Sequence, residues 1–189
     1  NLFFTANIIF ALAPALSEAE RNQVWQELFT LGVSTDWTPF LDEAHVNELL
    51  ERLPLEGMTD LQSLQIVVLG VRLFQFGAVD RALQLLGNPE VDDSHRSWGI
   101  KKISESLSTE QVLRVQEIAQ SLNKPGECWE ALKSICTRLV QLGDFNGAQS
   151  MLDSVFSRDN PRYPFLLLDF LELATDPEET LREAFYAAC

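Results

Sequence analysis

Two histidines and three cysteines are the side chains best suited to acid–base, nucleophilic or metal chemistry in this sequence. His45 stands in DEAHVNELL, where Glu43, His45 and Glu48 do not form the HExxH spacing that puts two zinc-ligating histidines on one helix face. The string DEAH coincides with a helicase box, but no Gly-rich phosphate loop precedes it and no strand carries it. His45 is therefore read as part of a solvated helix face. His95 follows Asp92, Asp93 and Ser94, a grouping that offers a weak cation site or an acid–base group. It is read instead as a solvated connector between repeats. GDFNG, residues 143–147, lacks the alternating ligands and distal Glu of a calcium loop and reads as a turn between helices. Cys128, Cys136 and Cys189 have no motif tying them to either histidine, and there is no G-x-S-x-G elbow. Glu178 and Glu179 read as first-turn charges favoured by a helix dipole. The expectation is no catalytic residue, no metal site and no cofactor, which favours a non-enzymatic role and leaves an enzyme on a helical scaffold as an alternative.

The charge balance narrows the partners. The chain has 189 residues with 28 acidic and 14 basic side chains, a net charge of −14. Such a charge opposes phosphate backbones and anionic headgroups, and no basic cluster offsets it, since Lys101 and Lys102 are the only adjacent basic pair. Neither nucleic acid nor membrane is an expected partner; a basic helix or tail of a protein is. Residues 1–56 hold nine acids and two bases, so this part is the more acidic per residue. Three cysteines suit free thiols in a reducing compartment, and a cytoplasmic location is expected. Cys128 and Cys136 on one helix would lie about 12 Å apart, too far to bridge. The apolar start NLFFTANIIFALAPAL has no initiating Met and no basic residue before Arg21, and Pro14 interrupts it. We read it as a fragment that begins inside a larger helical protein, with residues 1–13 as the buried helix of a first hairpin.

The elements repeat. RLFQFGAVDRALQLL, residues 72–86, returns as RLVQLGDFNGAQSML, residues 138–152, and at half that offset residues 105–119 and 171–185 align without gaps. Position three is Phe74, Leu107, Val140 and Leu173; position fourteen is Leu85, Ile118, Met151 and Ala184. Position eleven is Ala82, Leu113, Ala148 and Leu181 if small slips are allowed. Each unit of about 33 residues is read as a helical hairpin. Gly77 and Gly143 end the first helix where a left-handed φ is needed. Ser108 with Gln111, Thr59 with Gln62 and Ser17 with Glu20 read as caps; Asp176–Pro177, Thr38–Pro39 and Asn160–Pro161 read as further starts. Connectors are expected at Asn88–Ser94, Asn123–Gly126 and Ser157–Pro164. LQIVVLGV, residues 64–71, is β-branched but is read as a buried helix from its place in the repeat. One inward stripe is expected over residues 128–142, from Cys128 and Trp129 to Leu142. Another is expected over 111–122, from Val112, Leu113, Val115, Ile118, Ala119 and Leu122.

These features give an all-α fold, a right-handed α-α superhelix of stacked hairpins, with four hairpins over 58–189 and N-terminal hairpins over 1–57 continuous with them. The pattern of RLVQLGDFNGAQSML, with Gly143 at the turn and Ala148 packed behind it, resembles the tetratricopeptide-like class of helical-hairpin repeats over roughly 58–189. Gly77 and Ala82 match the same roles. The Trp–Leu–Gly–Tyr signature and terminal Pro of that family are missing in order. The resemblance implies binding of proteins or peptides, or of other domains of the same chain, through a scaffold that presents acidic helical surface. Trp98, Trp129 and Tyr163 recur near equivalent points of successive units; they are expected to fill seams between hairpins or to anchor a partner. A structural spacer or oligomerisation unit, and an enzyme on a helical scaffold, are the competing readings.

Overall fold

The computed structural model describes residues 41–155, together with Ser17, Ala19, Glu20 and Gln23. Among these residues the fold is all-α. Seven helices follow in order: α1 Glu43–Arg52, α2 Asp60–Gln75, α3 Val79–Leu86, α4 Asp93–Ser104, α5 Thr109–Gln120, α6 Pro125–Gln141 and α7 Phe145–Val155. The apolar, β-branched stretch 64–71 lies inside α2, where Ile66, Val67, Val68 and Leu69 are completely buried. No helix of the described residues is long and apolar enough to cross a membrane. The chain divides into two compact units, Asn1–His95 and Arg96–Cys189.

In the first unit α2 packs on both α1 and α3. Thr59 opens α2: its hydroxyl accepts the Gln62 N–H while the Gln62 side chain accepts from Thr59 N–H, so two orphan donors are satisfied reciprocally. The helix stops at Gly77, φ 86°, a region closed to most L side chains. Gly77 N–H donates to the Phe74 carbonyl and Ala78 N–H to the Leu73 carbonyl, which closes the last turn. Gly70 faces α3, where a methyl would meet Leu85 Cβ at 3.5 Å and the Ala82 carbonyl oxygen at 3.6 Å, ordinary van der Waals contact.

The second unit repeats this construction with α5, α6 and α7. Gly143 has φ 81°, its N–H donates to the Val140 carbonyl and that of Asp144 to the Leu139 carbonyl. The offset is 66 residues (143 minus 77), and it holds for side chains as well. Arg72 Nε donates to the Leu41 carbonyl at 2.9 Å; Arg138 Nε donates to the Leu107 carbonyl at 2.8 Å. Each guanidinium also reaches the glutamine three residues on, Gln75 or Gln141. Leu41 and Leu107 are both buried, and each precedes a capping residue, Asp42 for α1 and Ser108 for α5. At half the offset the starts of α2, α4 and α6 fall at 60, 93 and 125, steps of 33 (93 minus 60) and 32 (125 minus 93).

Several expectations are corrected. The helix expected from Thr38–Pro39 begins at Glu43, because Leu41 is not helical and Asp42 is extended and caps from there. The connectors are shorter than expected: Asp93 and Ser94 already belong to α4, and Pro125 and Gly126 to α6, with Pro at the first position where its missing N–H costs nothing. Leu113 does not face inward but is 65% exposed; the ungapped partner of Ala82, at 33 residues (115 minus 82), is Val115, which is fully buried. Leu142 is also exposed, in the turn beyond α6. α4 ends at Ser104, four residues short of the position set by Gln75 at an offset of 33, so the turn in 105–119 precedes the one in 72–86. Expectations placed on residues 1–13, Ser157–Pro164 and 171–185 lie outside the described residues, as do Thr38 and Pro39 themselves.

Candidate functional site

The residues first examined for chemistry do not converge. His45 is not freely solvated; it is half-buried, with Nδ1 2.7 Å from Asp42 Oδ1. Its own N–H donates to the same Asp42 oxygen at 2.9 Å, so the pair is the cap of α1. Burial opposes ionisation of Asp42, but the hydrogen bonds from the His45 backbone and side chain outweigh it and hold the carboxyl below its ordinary value. His95 is not in a connector. It sits in the first turn of α4, with Nε2 3.0 Å from Asp60 Oδ1. This contact ties the starts of α4 and α2 and gathers no third ligand. Among the described residues no group of three or more His, Cys, Asp or Glu is placed to hold a metal ion.

Both described cysteines lie on α6, and neither is in a disulfide. Cys136 is buried with Sγ 3.7 Å from the Ala148 carbonyl oxygen, and burial pushes its thiol up to about 12. A thiol held so firmly in its neutral form is a poor nucleophile. Asp144 caps α7 by accepting the Gly147 N–H at 2.8 Å, so GDFNG is a turn followed by a helix start.

What the fold does assemble is a groove between α4 and α6, about 330 Å³ in volume. Three contacts, two from α4 and one from the turn that follows it, fix how these segments lie. Ser97 Oγ donates to the Glu127 carbonyl at 3.0 Å, Lys101 Nζ to Glu130 Oε2 at 3.0 Å, and Arg138 Nε to the Leu107 carbonyl at 2.8 Å. The sequence separations are nearly constant: 30 (127 minus 97), 29 (130 minus 101) and 31 (138 minus 107). The two helices therefore run side by side in the same sense. α4 contributes Lys101 and Ser104, and the turn just beyond it Glu105, at three- and four-residue spacing from Lys101. α6 contributes Glu130, Lys133, Ser134, Thr137, Arg138 and Gln141 at the same spacing.

None of these groove residues was singled out as a site from the sequence. The signal lay in the repeat itself. At an offset of 66, Glu130, Lys133, Ser134 and Thr137 correspond to Leu64, Val67, Val68 and Val71. The three valines are buried, whereas Lys133, Ser134 and Thr137 are half-exposed. One copy of the module buries this stripe; the other turns it polar and lines a groove with it.

Trp98 and Trp129 are half-buried, on α4 and α6. Lys102 Nζ lies 5.6 Å from the centroid of the Trp98 ring, within cation–π range. Neither tryptophan lines the groove. Tyr163 lies outside the described residues.

No protein-family model matches this sequence, and neither curated proteins nor solved structures give a match.

Proposed function

We propose that the chain is a protein-interaction scaffold: a tetratricopeptide-like stack of helical hairpins that presents charged helical surface to a protein or peptide. The observation that carries this reading is the α4–α6 groove, a polar channel made from two helices that run in the same sense. Its lining pairs and spaces opposite charges rather than converging an acid and a base on one point. Such a surface selects among polypeptides by electrostatic complementarity. The reading includes four hairpins of about 33 residues over 58–189 that continue the hairpins of 1–57 as a right-handed superhelix. It includes a cytoplasmic setting as well. The net charge of −14 gives the scaffold a long-range preference for partners of net positive charge. Trp98 and Trp129, each half-buried, are the aromatic anchors in this reading, joined by Tyr163.

The test is capture of partners by the immobilised 189-residue chain, followed by chemical cross-linking to map the footprint. A stoichiometric complex is expected whose cross-links fall on the helical surface and whose affinity changes when charged residues within the footprint are reversed. A chain that forms no stoichiometric complex ends the scaffold reading. A complex indifferent to both charge reversal and salt ends its electrostatic part.

A further inference from the structure

We propose that the α4–α6 groove is the docking channel for an extended, acidic segment of a protein partner. This inference rests on the scaffold reading and adds to it the place and chemistry of contact. The first argument is charge. The chain carries twice as many acids as bases, 28 against 14, yet the groove lining holds Lys101, Lys133 and Arg138 against Glu105 and Glu130. The groove is thus locally positive in a strongly negative molecule. Lys101 is matched by Glu130 at one end. Lys133 lies one turn further along α6 and Arg138 beyond it, where it also holds the Leu107 carbonyl, with Glu105 the second acid of the lining.

The second argument is the direction of the hydroxyl protons. Ser104 Oγ donates to the Lys101 carbonyl at 2.8 Å, Ser134 Oγ to the Glu130 carbonyl at 3.0 Å, and Thr137 Oγ1 to the Lys133 carbonyl at 2.9 Å. Each hydroxyl has spent its one proton on its own helix, so towards an occupant it is an acceptor. The groove therefore combines cations, which suit carboxylates, with acceptors, which suit N–H groups. An extended peptide with acidic side chains offers both. A helix satisfies its own backbone N–H groups and leaves the acceptors unmatched. A nucleic-acid backbone or a free phosphate offers charge and no N–H.

The third argument is the duplicated module. The stripe that lines the groove on α6 is, on α2, a buried packing face made of Val67, Val68 and Val71. The same place in the module is thus used for contact in one copy and has become polar in the other. Glu130 and Gln141 lie about 16 Å apart along α6. That length accommodates about five residues of extended chain.

The experiment uses the full chain labelled with ¹⁵N and a capped peptide of alternating Glu and Gly, of about five residues, the length the groove accommodates. Amide shifts are expected at residues 101–105 and 130–141. Three comparison probes are the same peptide with Lys for Glu, the same peptide with N-methylated backbone, and inorganic phosphate; each is expected to lose those shifts. Lys133→Glu is expected to weaken binding about fivefold and Glu105→Gln to strengthen it, with helical circular dichroism unchanged in both. No shifts at millimolar Glu peptide, equal shifts with the Lys or N-methylated peptide, or the same shifts with phosphate would each overturn the proposal. A captured partner whose footprint avoids α4 and α6 would overturn it while leaving the scaffold reading intact. If no partner is captured but the Glu peptide shifts the groove, the scaffold reading fails and the groove chemistry stands.

Discussion

At the residue scale, Cys136 and Gly147 make the sharpest statements. Cys136 is buried in the seam of the α6–α7 hairpin, and its thiol is raised from 9.0 to about 12. The unfolded chain loses that proton near 9.0, the folded chain only near 12. Stability contributed by the neutral thiol is therefore complete below 9.0 and falls as pH rises through the window between. The expected slope is at most about 1.4 kcal/mol per pH unit. Urea unfolding at pH 8 and pH 10 checks this: Cys136→Ala loses less stability across the interval than the parent chain. Gly147 is tied to Asp144. A methyl there would collide with both Asp144 carboxylate oxygens, so the cap must swing away and its bond to the Gly147 N–H breaks. Gly147→Ala is expected to cost about 1 kcal/mol, the usual worth of an N-cap, read as a lower midpoint in thermal unfolding. Gly126, also helical, has open space around it, and Gly126→Ala is the comparison that carries the helix-propensity gain of Ala without the loss of a cap.

At the element scale the two glycine turns should respond alike. Gly77 and Gly143 have φ of 86° and 81°, with no neighbour within 4 Å of an added methyl. Substitution by Ala then costs backbone strain alone, about 1 kcal/mol at either site, and the two variants should match in chemical denaturation. A difference of several-fold between them would mean that the turns are not equivalent. These turns were legible from sequence because the requirement is local: a left-handed φ, a Gly, and apolar spacing that stops and restarts. The boxes Thr59–Gln62 and Ser108–Gln111 were legible for the same reason. The start of α1 was misplaced because Thr38–Pro39 and Asp42 both carry the chemistry of a start. Only the packing of Leu41, with its carbonyl held by Arg72, picks Asp42. Leu113 was misassigned because a helical stripe tolerates a step of three or four, and the neighbouring Val112 and Val115 took the buried places. Arg96 was not legible at all. It is 1% exposed, and its Nη2 donates to Ser121 Oγ at 2.6 Å, a pairing between α4 and the end of α5 that no local pattern announces.

At the scale of the whole molecule, the recurring theme is a module of three helices written twice with different chemistry. Gly70 and Cys136 occupy the same slot, 66 residues apart (136 minus 70), one leaving room beneath a carbonyl and the other filling it with sulfur. The groove face was hidden from the sequence reading for a related reason. Its meaning lies in the comparison of two copies, and neither copy is unusual by itself. The same duplication governs the response to acid. Asp42 and Ser108 cap corresponding helices, but only the first ionises, and its carboxyl is held below 3.8. The stability it contributes is present above 3.8 and is lost as pH falls through the lower, folded-state value. Asp42→Ala is expected to cost about 1 kcal/mol at neutral pH and progressively less in acid, while Ser108→Ala costs the same at both. Hydrogen exchange of the α1 and α5 amides at neutral and acidic pH reads the difference. Arg72 and Arg138 hold the Leu41 and Leu107 carbonyls at corresponding places in the two halves. A proton can therefore tell apart two halves that geometry made twins: it unlatches the first while the second stays shut.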